Sequence, residues 1–194
     1  MSTASAPSNN AALSRLLDEA SRGAVTDAEF LSQAKELGVS SAWVQAQLER
    51  LHTDWDESRL CLLIDCLYLP GVHGAAGWAS VTSAFCRLML DPRMEPGTVE
   101  LTADAIADFR LDLQDLRVLT LVCTSSRWND DGYWPDLRKA LETMPAAVHN
   151  GAVSRREVLD LLSTVANSPA TQTEDCGLRS TAQAMSRQIS EEAE

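Results

Sequence analysis

The sequence predicts an all-α protein, and three observations carry that expectation. Ala, Leu, Arg, Glu and Gln dominate, and apolar residues recur at spacings of three and four, which lines one face of a helix. The same pattern of helix start is written more than once: GAVTDAEFL occupies residues 23–31 and GAVSRREVL residues 151–159. No window alternates convincingly as a strand, the nearest being the residues around Thr98-Val99-Glu100-Leu101. The expected architecture is a single-domain multi-helix bundle of about eight or nine helices.

The elements follow in order. Residues 1–10, made of Ser, Ala, Pro and Asn, predict a disordered start. A Leu-rich helix follows over 11–21. The helix over 26–37 opens with a capping box and a hydrophobic staple: Val25 precedes the hydroxyl N-cap Thr26, Glu29 takes the third helical position and Phe30 the fourth. Val39-Ser40 and Val44 repeat the staple at the start of 40–52, with Trp43 where the Glu would be. The helix over 55–69 takes Thr53 or Asp54 as its N-cap, with Asp56 and Glu57 favoured in the first turn by the helix dipole. It ends at Pro70-Gly71. A helix over 75–90 stops at Asp91-Pro92, and Pro96-Gly97 marks a further turn. Leu101-Thr102 with Ile106 gives the staple of a long helix over 102–124. A helix over 135–144 follows a polar loop, and Val153-Ser154 with Glu157 and Val158 starts 154–166. The stretch SPATQTEDCG predicts a loose linker, after which Leu178, Ala182, Met185 and Ile189 form a weak stripe on a helix over 178–189. The starts are irregularly spaced, so the repeated nonapeptide is helix-capping grammar and not a duplicated unit.

This gives a disordered start over 1–10, a helical domain over 11–167, and a linker with a weak terminal helix over 168–194. LCLLIDCLYL and RVLTLVC are apolar nearly all round, which predicts a core formed by the 55–69 and 116–124 segments. Residues 12–37, with a Leu-rich turn, GAVT and EF, resemble the short helical hairpins of SHOCT-type appendages on bacterial proteins. The resemblance covers a small fraction of the chain and implies a helical hairpin there, not a function.

A chain of 194 residues with 45% hydrophobic content has the size and composition of one ordinary globular domain. No apolar run behind a basic start and no uncharged span is present, which predicts a soluble, unexported, cytoplasmic protein without membrane insertion. The five cysteines are odd in number and sit mostly in apolar segments, as buried thiols of a reduced protein do, with Cys176 in the polar linker as the exception. A net charge of −12, spread along the whole chain, disfavours nucleic acid and anionic bilayers and suits a basic protein partner.

Candidate chemistry is sparse. Gly71, Gly74 and Gly77 follow a helix instead of a strand and lack both GxGxxG and Gly-Lys-Ser/Thr, so they read as a joint between helices. His52, Asp54, Asp56 and Glu57 hold enough ligand chemistry for a divalent ion or an acid/base pair, but capping and the helix dipole explain them more simply. His73 and His149 have no HxxxH or HExxH partner, and neither CxxC nor GxSxG occurs. Neither metal nor cofactor is expected.

Two stretches read as recognition surface. SRWNDDGYWPD brings Arg127, Trp128, Asp130, Asp131, Tyr133 and Trp134 into one polar loop, and Arg, Trp and Tyr are the types enriched in interface hot spots. The alternative is that Trp128 and Trp134 fold inward as lids on helix ends, with Asp131 and Asp136 as caps. On the long helix, Asp104, Asp108, Asp112 and Asp115 share one face opposite Ile106, Phe109, Leu113 and Leu116, forming an acidic stripe that could meet a basic surface or simply face solvent. The functional expectation is a non-catalytic acidic protein-binding module, an inhibitor or immunity-type protein that neutralises a basic partner. The alternatives are a helical adaptor or chaperone with the terminal helix as its moving part, and an enzyme using the 52–57 cluster.

Overall fold

The computed structural model describes residues 6–74, 77–109, 111–128, 133–172 and 177–191, and among these the ordered elements are helices, with no strand. In chain order they are α1 Ala6–Ser21, α2 Asp27–Glu36, α3 Ser41–Leu51, α4 Glu57–Cys66, α5 Trp78–Leu88, α6 Pro96–Ala107, α7 Leu113–Cys123, α8 Arg138–Glu142, α9 Met144–His149, α10 Arg155–Asn167 and α11 Leu178–Glu191. A 3-10 turn spans Pro169–Thr171. There are more helices than the eight or nine expected.

The chain divides into two compact units, Met1–Ala84 and Phe85–Glu194, and the two apolar segments that the sequence placed at one core fall one in each. In the first unit, Leu13, Leu16, Leu17 and Ala20 bury one stripe of α1. Their spacing is that of a single helix face. Helices α1, α2 and α3 all pack against α4, whose Leu60, Leu62, Leu63, Ile64 and Cys66 are buried. The pairing of α1 with α2 is the hairpin that residues 12–37 imply.

Caps decide where these helices begin. Thr26 accepts from the Glu29 N–H while the Glu29 carboxylate accepts from the Thr26 N–H, so two donors with no partner inside the helix are satisfied reciprocally. Ser154 and Glu157 repeat the arrangement at α10, and Ser40 caps α3. For α4 the N-cap is Asp56, which accepts from the Arg59 N–H at 3.0 Å, two residues beyond the expected Asp54. The start of α1 at Ala6 likewise lies inside the stretch expected to be disordered. Gly38, at φ 75, ends α2 with the Val39 N–H returning to the Ala34 carbonyl, a left-handed closure that a side chain would strain. Gly71 has a different reason: a Cβ there would lie 2.0 Å from the Val39 carbonyl oxygen, so the glycine of the expected joint is a point of close backbone packing.

In the second unit, α7 buries Leu116, Val118, Leu119, Val122 and Cys123, leaves Gln114, Arg117 and Leu121 exposed, and packs on α10, which also packs on α11. Here several element boundaries differ from those expected. Residues 98–101 are helical, because Pro96 in the first turn of α6 presets the helical φ and outweighs the β-branched residues that follow. Thr102 is consequently inside α6 and does not start it. Residues 135–144 do not form one helix: α8 ends at Glu142, and Pro145, in the first turn of α9, has no N–H with which to continue the ladder. The terminal helix is docked, with Leu178, Ala182 and Ile189 buried against α8, α9 and α10. The preceding stretch is partly ordered too, since the buried Thr171 hydroxyl donates to the Val165 carbonyl at 2.5 Å.

Replacing Thr26 or Ser154 by Ala should each cost about 0.5–2 kcal/mol of stability in denaturant titration. The Glu157 carboxyl is held below the usual carboxylate range by the hydrogen bonds of Ser154, side chain first and backbone second. Its stabilising contribution is therefore present above the unfolded-state value and lost as pH falls through the lower folded one. In Ser154→Ala the Glu157 titration midpoint, followed by NMR, should move up toward the ordinary carboxylate value; an unmoved midpoint would mean that the box does not hold this acid.

Candidate functional site

Of the aromatic loop, the first part points inward. Trp128 is 1% exposed, and its Nε1–H donates to the Val122 carbonyl at 2.8 Å, closing over the end of α7. The Arg127 guanidinium lies 5.0 Å from the Trp128 ring centre and donates to the carbonyls of Asp91 and Met94. Those bonds tie the α5–α6 connection to the end of α7. Arg127 and Trp128 thus serve packing, the alternative that the sequence left open for the tryptophan, because an indole with its N–H satisfied by a backbone carbonyl gains more from burial than from water. Trp134 is half-buried and Tyr133 remains exposed. The Tyr133 hydroxyl donates to Glu100 Oε2 at 2.8 Å, and this bond holds the phenol above its ordinary pKa. Asp136 forms a two-pronged pair with Arg138, while Asp130 and Asp131 lie outside the described residues.

The acidic stripe is not one helical face. Helix α6 stops at Ala107 with Asp108 as its C-cap, and Asp112 is the N-cap of α7. Asp112 accepts from the Asp115 N–H at 2.9 Å and donates its own N–H to the Asp115 carboxylate at 3.2 Å. Asp115 is 3% exposed. A carboxylate that satisfies the open N–H groups of a new helix competes with continuing the old one, and the break between Phe109 and Asp112 results. Asp112 and Asp115 are thereby structural, whereas Asp104 and Asp108 stay at the surface.

What the break creates is a cleft. The end of α6, together with α8 and α9, encloses about 410 Å³ lined by Asp108, Phe109, Leu111, Glu142, Ala146 and Asn150 among others. Phe109 and Leu111 are buried and supply an apolar wall, while Asp108 and Glu142 are exposed carboxylates. Asp108, Glu142 and Asn150 all sit at or just past helix C-termini, where carbonyl groups already give a partial negative charge and a carboxylate is disfavoured. Lys139 approaches this end, with Nζ 3.9 Å from Asp108 Oδ1 and 3.3 Å from the Asp104 carbonyl. Leu111, Glu142 and Asn150 were not singled out by the sequence. The Asp112-Leu113-Gln114-Asp115 box was the signal that α6 had to end before them.

The 52–57 cluster turns on Arg59, which pairs with Asp18 at 3.0 Å, Asp56 at 3.2 Å and Asp54 at 3.3 Å. His52 is the exposed C-cap of α3. The cluster is thus a cationic side chain knitting α1 to the start of α4. Among the described residues no group of three or more His, Cys, Asp or Glu side chains stands ready to hold a metal ion, and no helix is long and apolar enough to cross a membrane. Cys66, Cys86 and Cys123 are buried, while Cys61 is half-buried in a smaller cleft beside Asp27, Ser58 and Asp65. Burial, with Asp65 adding to it, pushes the Cys66 thiol up to about 12. Burial is also the main reason the Cys86 thiol rises.

Compared with known proteins, the chain matches no family model, no curated protein and no solved structure. Its class rests on its own architecture, an all-α fold with an acidic cleft in the second unit.

Trp128→Ala should cost about 3–5 kcal/mol of stability, as truncation of buried aromatics does, read as a large drop in thermal midpoint; a midpoint within error of wild type would place the ring outside the core. Among the thiols, Cys61 should react with a thiol reagent faster than Cys66, Cys86 or Cys123 in the folded, reduced protein. Equal rates, followed by mass spectrometry of the labelled peptides, would contradict the burial described.

Proposed function

We propose that this chain is a non-catalytic, acidic helical module that binds a basic protein and neutralises it, as an inhibitor or immunity-type protein does. The observation that supports the reading is the edge of α6, where Glu100, Asp104 and Asp108 fall four residues apart. Like charges at that spacing oppose helix formation, and here they run toward a helix C-terminus, the wrong end for acids. The net charge of −12 adds a long-range field that draws in cations. Leu101, 55% exposed, and Tyr133, 45% exposed, flank the same acids and give the row apolar and aromatic contact area. Such a mixture suits a surface in which charge sets the approach and a few larger side chains provide the affinity. Within the stretches chosen from the sequence, the reading rests on Asp104, Asp108, Tyr133 and Trp134.

The test is a pull-down from native extract with wild type and with Glu100→Lys/Asp104→Lys. A basic protein captured by wild type should associate at least about tenfold more slowly with the variant at low salt, and the difference should shrink as salt rises. Capture that is the same for both proteins at every salt concentration would overturn the reading.

A further inference from the structure

We draw no further inference here: the strongest candidate, the open groove between α10 and α11 lined by Leu159, Ser163, Asn167, Gln183 and Arg187, mixes apolar, amide and cationic side chains, and nothing in the structure shows what covers it.

Discussion

The first four N–H groups of an α-helix have no acceptor within it, and much of this molecule follows from how the chain supplies one. Thr26, Ser40, Asp56, Asp112 and Ser154 each turn a side-chain oxygen back onto the first turn of a helix. Because a capped start is worth about 1 kcal/mol, it can outweigh the small propensity differences between neighbouring registers. The consequence is greatest at Asp112. Its reciprocal bond with Asp115 starts α7 and forces α6 to finish first, and the gap between the two opens the cleft.

The same economy governs arginine and tryptophan. Arg127 and Arg59 are the residue type that surfaces use for recognition, yet each joins separate parts of its own unit, Arg127 through backbone carbonyls and Arg59 through three carboxylates. Trp128 adds a large buried area with its one donor satisfied. In a chain with few aromatics, an indole that closes the end of α7 contributes more to the fold than it would on an exposed loop. The acids of α6, with Leu101 and Tyr133 beside them, are residues that packing does not consume, and the proposed function draws on them.

Those acids carry an electrostatic tension. Asp104 and Asp108 sit at the negative end of α6, and the pairing with Lys139 is too long and too exposed to contribute more than about 1 kcal/mol. A sequence ruled by stability alone would place bases there. Departures from local preference tend to collect where a protein meets something else, and that is why the acids of α6 enter the proposed function.

The sequence alone determined the fold class and most helix starts. Thr26-Asp27-Ala28-Glu29 and Ser154-Arg155-Arg156-Glu157 are local devices, and the bonds that they form lie within four residues. It also located the two most buried segments, although Tyr68 and Leu121 within those apolar runs face solvent. Even the break at Asp112 was legible, because Asp can cap and accept as Thr and Glu do, although the uninterrupted apolar spacing from 102 to 124 masks it. Tertiary structure decided what local grammar does not encode. Whether Trp128 faced a partner or the core depended on the Val122 carbonyl being within reach, and the use of the 52–57 acids depended on Arg59 meeting Asp18 from α1. The cleft is of the same kind: Asp108 and Glu142 are more than thirty residues apart, and only the packing of α6 on α8 puts both carboxylates around one volume.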